Sequence, residues 1–395
     1  MRTVENNIAL FKWYQFVFNF APMATLLIVY FQQITGSYAV ATAVWSVCMV
    51  VRTIMEIPSG LISDKIGRRN TLILVCSTTN LCFFLWALAG QLHMSGLLFI
   101  GAVSWGISGS LLSGTIEALI YETTLQTGKE SEFKSIYAQS QIWAQCGLAI
   151  SALFASVISR YFSLQTLAWI TAFLGFAPII IVFHFSEPKH YTPYSKLSPL
   201  QDFILALRLV RRKRKLRFYA IITLLNFAVE KSVHRFEAAY FKMLISDALI
   251  NLVRSLKQFF GMIGFYIASK LRKYTSPIVY FSAFGFNSFF RFFALAINNF
   301  CTPFLMSFVN LFYGLTMTAS TDILQKEFSK RQRVTTQSII SFFSGFAEAG
   351  ILYLFGLIAD LLSPRWAMFL AVLVNVLLLS FSQIKLYKKE YLHEK

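Results

Sequence analysis

The sequence predicts an all-α membrane protein with twelve transmembrane helices arranged in two pseudo-symmetric bundles of six. Apolar residues make up 56% of its 395 positions, and the mean hydropathy is +0.59. Ordinary soluble domains are less apolar than this. Apolar segments of roughly 20 residues, the length that crosses a bilayer, recur along the whole chain. One long polar stretch separates the first six segments from the last six.

Each of the twelve apolar segments is predicted to form one membrane-spanning helix. The first is too long and too aromatic for a cleaved signal peptide, so we expect it to remain in the protein. The predicted segments are 8–32, 39–59, 71–90, 96–121, 134–158, 163–185, 218–244, 248–269, 277–297, 303–325, 334–358 and 364–386.

The basic residues predict how the chain is oriented. If the N-terminus is cytoplasmic, 27 of the 36 Lys and Arg residues lie in the cytoplasmic loops and termini or at their edges. The opposite loops hold only Arg160 and Arg365. Because cytoplasmic loops carry an excess of Lys and Arg, we expect a multi-pass protein of the cytoplasmic membrane with both termini cytoplasmic. The net charge of +18 therefore indicates membrane topology rather than nucleic-acid binding.

The long polar stretch, residues 186–217, is predicted to be a cytoplasmic linker. Pro188 cannot continue a helix, so the sixth helix should end there. The linker contains an amphipathic segment that ends in five consecutive basic residues, 211–215. Such a cluster beside a membrane attracts anionic lipid, which we favour over binding to nucleic acid. The predicted domains are a bundle at 1–185, this linker, a bundle at 218–386 and a cytoplasmic tail at 387–395.

The loop between the second and third segments carries the sharpest motif, GLISDKIGRR. The pattern G-x-x-x-D-(R/K)-x-G-(R/K)-(R/K) is typical of the cytoplasmic loop between helices two and three of major facilitator superfamily transporters, and the sequence resembles that loop at every fixed position. The fixed positions are Gly60, Asp64, Lys65, Gly67, Arg68 and Arg69. The resemblance implies the fold of this superfamily, a conformational-switch role for the loop and a monomeric protein.

Elementary chemistry supports the same interpretation of this loop. Gly60 would let two helices approach closely, and Gly67 can take the positive φ that a tight reversal requires. The Asp64 carboxylate can meet Arg68 or a neighbouring helix end. A shift of 204 positions aligns Gly60 with Gly264, although the aspartate position is then occupied by Ala268. This degenerate second copy, which continues through Leu271, Arg272, Lys273 and Thr275, fits two related halves.

Ionisable residues inside the predicted segments are the strongest functional signal. A charge at the bilayer centre costs at least about 2.5–3.5 kcal/mol, so these side chains must face partners or water, and we expect an aqueous cavity. The basic members are Arg52, Lys231, Arg235, Lys242, Arg254, Lys257 and Arg291, and the acidic members are Glu56, Glu117, Glu230, Glu237, Asp322 and Glu348.

Four of the carboxylates are candidates for proton coupling. A carboxylate held away from water binds a proton more readily, which suits proton exchange. The resemblance implies that helices one, four, seven and ten line the central cavity, and the candidates lie on the last three. They are Glu117, Glu230, Glu237 and Asp322. For each one, a structural carboxylate satisfied by its neighbours is an equally good interpretation.

Other polar residues are candidates for contact with a solute. Arg254 and Lys257 are three apart on helix eight and could bind an anionic group, or they could pair internally with nearby glutamates. Arg52 and Glu56 are four apart and could form a structural pair instead of contacting the solute. The full set of cavity candidates is Asn19, Arg52, Glu56, His234, Arg235, Arg254, Lys257 and Glu348.

The function that the sequence favours is secondary active transport by alternating access, with proton-coupled export of a small organic solute. Uptake of an anionic metabolite is the main alternative, and sodium is the alternative coupling ion. A membrane-embedded lipid-modifying enzyme would need a nucleophile beside His234, and a sensor that no longer transports is a third class. The chain contains no phosphate-binding loop, and its five cysteines show no metal-ligand or disulfide spacing. We therefore expect no cofactor and no metal centre of that kind.

Overall fold

The computed structural model describes residues 4–188, 214–270, 276–316, 319 and 330–376. Within these residues the chain is helical nearly throughout and contains no β-strand. The predicted all-α class is therefore confirmed. Most of the predicted linker, the whole tail and Asp322 lie outside the described residues.

The chain folds as two compact units. They do not follow the sequence strictly, because a short stretch at the start of one helix belongs to the second unit. The first unit comprises Met1–Gly36 and Val44–Ser198, and the second comprises Ser37–Ala43 and Pro199–Lys395.

The first unit is built from the helices that precede the linker. Helix α3 begins with the residues of the second unit named above and continues into the first. The helices are α1 (Asn7–Phe18), α2 (Leu27–Thr35), α3 (Tyr38–Ile66), α4 (Arg68–Leu92), α5 (Ser95–Leu112), α6 (Thr115–Gln126), α7 (Phe133–Tyr161), α8 (Leu164–Leu174) and α9 (Phe176–Phe183).

The second unit contains the helices that follow the linker. Residues 310–316 are also helical and follow α13 after a one-residue break. The helices with defined bounds are α10 (Arg214–Phe241), α11 (Asp247–Lys270), α12 (Ser276–Ile297), α13 (Thr302–Phe308), α14 (Lys330–Leu361) and α15 (Pro364–Val374).

Six helical stretches in the described residues are long and apolar enough to cross a membrane. Five belong to the first unit, and Phe342–Leu361 lies in the second. The predicted total of twelve spans stays a prediction. The second unit contributes few such stretches partly because α10 carries several ionised side chains along its length, which lower its mean hydropathy.

Several segments predicted as continuous helices are interrupted. The first span breaks between α1 and α2, where a 3₁₀ turn begins at Pro22. Proline has no backbone N–H and cannot continue a helix, so the break follows from the sequence. The fourth span is interrupted at 113–114, the sixth at Gly175 and the tenth at Val309. The sixth also ends at Phe183, before Pro188.

Side-chain packing holds the first unit together. Helix α1 packs on α7, and α4 packs on α5 and α8. Lipid tails are as apolar as leucine, so helices in a bilayer associate mainly through close packing and hydrogen bonds. One buried cluster joins α1, α4, α6, α7 and α9. It consists of Phe11, Tyr14, Leu72, Cys76, Ile116, Leu119, Ile120, Ile136, Val182 and Phe185.

In the second unit, α10 packs along α14 and also contacts α15. The beginning of α3 is held there by Asp360 of α14. Its carboxylate accepts hydrogen bonds from the Ser37 hydroxyl and from the N–H groups of Tyr38, at 2.7 Å, and Ala39, at 2.9 Å. The first N–H groups of a helix have no partner within that helix, so this carboxylate acts as their cap.

Candidate functional site

The loop between α3 and α4 turns at Gly67, which has φ +89° as the sequence predicts. Helix α4 begins at the next residue, and the carboxylate of Glu187 covers its N-terminus. Glu187 accepts hydrogen bonds from the N–H groups of Arg68, at 2.6 Å, and Arg69, at 2.7 Å. A Cβ atom on Gly67 would lie 2.8 Å from Glu187 Oε1, the movable end of a flexible side chain, so the positive φ is the stronger reason for glycine here. The negative carboxylate suits the positive end of the helix dipole.

Arg68 is the centre of the loop's polar contacts. Its guanidinium lies 2.9 Å from Asp64, 3.1 Å from Glu122 of α6 and 2.8 Å from the Ser63 hydroxyl. The Glu122 side chain is 8% exposed, whereas that of Asp64 is 53% exposed. The structure therefore contains the Asp64–Arg68 contact that the sequence suggested. Glu122, which sequence reasoning missed, is the more buried partner.

The remaining motif residues have simpler surroundings. Arg69 donates a hydrogen bond to the Phe183 carbonyl at 3.2 Å, and Lys65 is exposed. The expectation that Gly60 permits close helix approach is wrong in the described structure, since a Cβ there would meet no atom within 4 Å. Gly60 lies on an exposed face of α3, where no described helix packs against it.

The second unit contains a compact charged group, which we call the Glu237 cluster: His234 and Glu237 of α10 with Arg254 and Lys257 of α11. Lys257 Nζ lies 2.7 Å from both carboxylate oxygens of Glu237 and 2.9 Å from Nδ1 of His234. Arg254 forms an ion pair with Glu237 and donates to the His234 carbonyl at 3.2 Å. The Lys257 ammonium thus uses all three of its donors.

Two further carboxylates of the second unit bind basic side chains. Glu230 accepts hydrogen bonds from Arg291 of α12, at 2.7 Å, and from Asn375. Glu348 of α14 lies 3.8 Å from Lys231 and 3.9 Å from Arg235. At the end of α10, Lys242 lies 2.6 Å from Asp247.

The ionisable side chains of α10 are divided among three neighbouring helices. Glu230 pairs with α12, Glu237 and His234 contact α11, and Lys231 and Arg235 lie near Glu348 of α14. The internal pairing weighed against a substrate-binding cationic patch is therefore present. Ion pairing satisfies these charges without requiring bulk water at each one.

The candidates inside the first unit are arranged differently. The aliphatic part of the Arg52 side chain packs on Gly109. Its Cδ lies 3.2 Å from the position that a Cβ atom added to Gly109 would occupy. The expected Arg52–Glu56 pair is not formed, since among the described residues Glu56 has no ion pair. Glu117 is exposed in the first turn of α6. Asn19 donates a hydrogen bond to the Gln15 carbonyl at 2.8 Å and so closes the end of α1.

A family model described as the MFS_1 like family matches residues 8–371 of this chain. The uncharacterized transporter BU466 of Buchnera aphidicola subsp. Acyrthosiphon pisum (strain APS) is 27% identical over 179 residues. That match covers 45% of this chain, and the chain spans only 43% of the relative's length.

Solved structures share the fold over nearly the whole chain. The nucleoside transporter NupG superposes with a TM-score of 0.77 at 15% identity, covering 96% of this chain and 99% of its own. A D-xylose–proton symporter gives 0.69 at 14% identity, with 95% of each chain covered. A POT family transporter in complex with 5-aminolevulinic acid also gives 0.69 at 14% identity, with 96% of each chain covered. At such low identities the likeness establishes the fold alone.

Proposed function

The chain belongs to the MFS_1 like family, and from that premise we propose that it is a proton-coupled secondary transporter that exports a small organic solute by alternating access. Membership of this family makes it a multi-pass membrane transporter of a small solute rather than an enzyme. The direction of transport, the coupling ion and the chemistry of the solute are our proposal.

The observation that carries proton coupling is the hydrogen-bonded chain in the Glu237 cluster. It runs from an imidazole that is 39% exposed, through the Lys257 ammonium, to a carboxylate that is 3% exposed. His234, Lys257 and Glu237 can each bind or release a proton. A proton can therefore pass in two steps, between His234 and Lys257 and between Lys257 and Glu237, and so connect an accessible group with an inaccessible one. One structural neighbour is named as a proton symporter, which agrees with this proposal.

Alternating access is supported by the division into two compact units and by the loop at Gly67. Transporters built from repeated bundles move one bundle against the other around a site near the middle of the membrane. The contacts of Arg68 with Asp64 and Glu122 are ion pairs that can form and break as helix ends shift. We propose that they set the rate of that exchange.

A second candidate is the uptake of an anionic metabolite. Arg254 and Lys257 share the single carboxylate of Glu237, so the cluster carries a net positive charge while His234 is neutral. A carboxylate or phosphate on the solute would compensate that charge.

The membrane, the orientation and the oligomeric state of the protein are also part of this proposal. We propose that the protein lies in the cytoplasmic membrane as a monomer, with both termini cytoplasmic and with anionic lipid on the basic linker. The distribution of Lys and Arg supports this orientation. The linker residues 211–213 lie outside the described structure.

The test begins with a thermal-shift screen of purified protein against nucleosides, pentoses and small carboxylates. A hit is then assayed in vesicles with an internal pH-sensitive dye, which reports proton movement on addition of solute. In wild-type vesicles we expect a proton flux when the solute is added, together with export of the solute. In His234→Asn the side-chain oxygen can still accept from Lys257 but carries no exchangeable proton. This variant should keep solute binding and lose at least tenfold in solute-driven proton flux.

The matched control is Lys242→Gln, because Lys242 pairs with Asp247 at the end of the same helix and lies outside the cluster. It should keep wild-type proton flux. Solute transport without proton movement in wild-type protein would disprove the coupling. Equal proton flux in wild type and His234→Asn would remove the cluster from the pathway. Selective transport of anions into vesicles would favour the second candidate over export.

A further inference from the structure

The turn of α11 that carries Lys257 is fastened to α13 and to the helix that follows it. Ser307, near the end of α13, donates a hydrogen bond to the Val253 carbonyl at 3.0 Å. Asn310, the first residue of the following helix, donates from its side-chain amide to the Lys257 carbonyl at 2.8 Å. The two acceptors are four residues apart and so lie on one face of α11. Lys257 is therefore held through its backbone as well as through its ammonium group.

Glycine residues let the two helices come close at this contact. A Cβ atom on Gly261, one turn after Lys257, would lie 2.6 Å from the Asn310 amide nitrogen. A Cβ atom on Gly314, one turn after Asn310, would lie 2.6 Å from the backbone nitrogen of Phe265. Small residues at a helix interface allow such an approach in a bilayer. The Asn310 amide is therefore confined between Gly261 and the Lys257 carbonyl.

The two hydrogen-bond donors lie on opposite sides of the break at Val309. Helix α13 ends one residue before the break, and the next helix begins one residue after it. The N–H of Phe312 bonds the Val309 carbonyl, three residues earlier. A stretch of such 3₁₀ geometry within a membrane span often marks a hinge. Ser307 thus holds α11 from the part before the hinge, and Asn310 holds the Lys257 turn from the part after it.

The position of this turn determines whether the Glu237 cluster is complete. The Lys257 ammonium lies 2.9 Å from His234 and 2.7 Å from Glu237. Proton transfer needs a donor and an acceptor within about 2.6–3.2 Å of each other. A misplacement of about 1 Å can lower a rate by about a hundredfold. A displacement of the Lys257 turn by that distance would take the contact with His234 out of range.

We propose that Asn310 is a positioning residue for proton transfer. Its amide holds the Lys257 turn at the place from which the ammonium reaches both His234 and Glu237. This inference rests on the proposed proton pathway, and it adds that movement of the helix after Val309 opens and closes that pathway. When this helix moves away, the contact between Lys257 and His234 is lost and proton passage stops.

The first experiment needs no solute. Full-length protein with ¹⁵N-labelled histidine is purified in detergent and studied by NMR at one pH, and His234→Asn assigns the His234 signal among the five histidines. In wild type the Nδ1 resonance should be that of a hydrogen-bond acceptor, because an ammonium group has only donors. Asn310→Leu removes the amide, so we expect this resonance to move to the position of an imidazole without that bond. A merely structural role for Asn310 would lower the thermal unfolding midpoint and leave the resonance in place.

Gly261→Ala perturbs the same contact from the other helix while keeping Asn310. The added methyl group displaces the Asn310 amide, and alanine favours the helix, so this variant guards against loss of the fold. We expect the same change in the His234 resonance. Combining Gly261→Ala with Asn310→Leu should add nothing further, because both changes remove one contact. The matched control is Thr316→Val, since the Thr316 hydroxyl bonds the Tyr313 carbonyl in its own helix at 2.9 Å. This control should leave the resonance unchanged.

The second experiment measures solute-driven proton flux in the dye-loaded vesicles, with the solute identified by the thermal-shift screen. Asn310→Leu should lower the flux by about tenfold or more, and Thr316→Val should keep it. Wild-type flux together with an unchanged His234 resonance in both Asn310→Leu and Gly261→Ala would overturn the positioning role and leave the pathway intact. A changed resonance in these variants, without proton flux in wild type, would instead uphold the contact and overturn the pathway.

Discussion

The two units distribute their ionised side chains differently. In the first unit the ion pairs lie at helix ends: Arg68 meets Asp64 and Glu122 at the loop before α4, and Lys129 meets Glu5 in an exposed pair before α7. In the second unit they lie along α10, where Glu230 and Glu237 each bind basic side chains from neighbouring helices. The first arrangement places charge at a helix end, and the second places it within helices predicted to span the membrane.

This difference determines how much each contact contributes to stability. Partly exposed pairs are screened by solvent and contribute at most about 1 kcal/mol. Buried pairs bring little net gain when complete, yet removing one partner leaves an uncompensated charge and is costly. Glu237 is 3% exposed and Asp64 is 53% exposed, so they represent the two regimes. We therefore expect the second unit to depend on its pairs for stability and the first to use them for movement.

The largest effect is expected from Glu237→Gln. This change leaves Arg254 and Lys257 without their carboxylate and should lower the free energy of unfolding by about 3–5 kcal/mol. Thermal or denaturant unfolding in detergent measures the loss. Glu56→Gln in the first unit is the matched control and should cost no more than about 0.5 kcal/mol, because Glu56 has no ion pair among the described residues. Equal losses in the two variants would contradict the contrast between the units.

An intermediate effect is expected from Glu122→Gln. The glutamine can still accept one hydrogen bond from Arg68 but brings no charge, and Arg68 keeps Asp64 and Ser63 as partners. We expect a loss of about 1–3 kcal/mol, measured in the same unfolding experiment. If Glu122→Gln lowers the free energy of unfolding as much as Glu237→Gln does, the first unit also depends on a buried ion pair for its stability.

Among the variants that break an ion pair, the smallest effect on stability is expected from Asp64→Asn, at most about 1 kcal/mol. Its effect should instead be kinetic, because a contact that forms in only some conformations alters the rate of exchange between them. We expect turnover of a transported solute to fall more than its affinity. Stopped-flow fluorescence for exchange and equilibrium binding for affinity separate the two. Loss of affinity with unchanged turnover would exclude this role for the loop.

The sequence predicted the coarse architecture because the bilayer imposes a strong length and polarity requirement. The motif loop was also predictable, since Gly67 has the positive φ that a reversal between α3 and α4 requires. Glu187 could have been considered from its position before Pro188 at the end of the sixth segment. Its contact with the start of α4 depends on tertiary packing over more than a hundred residues, which no local pattern contains.

The pairing within the second unit was only partly predictable. Glu230, His234 and Glu237 were all selected as candidates from the sequence, but the identity of each partner depends on which helix packs beside that part of α10. Arg291 was recognised as a charge without a partner, and Asn375 was missed because a neutral residue near a chain terminus gives no pattern. The count of buried charges predicted that they must be satisfied. It could not distinguish ion pairing from hydration.

The hydrogen bonds by which Asp360 caps the beginning of α3 affect the order of folding. The hydrogen bonds to Ser37, Tyr38 and Ala39 join residues that are 321 to 323 positions apart in the chain. Contacts of such long sequence separation form late, after a large loop-closure entropy has been met. During synthesis, the first turn of α3 must therefore wait for its cap until Asp360 has been added to the chain.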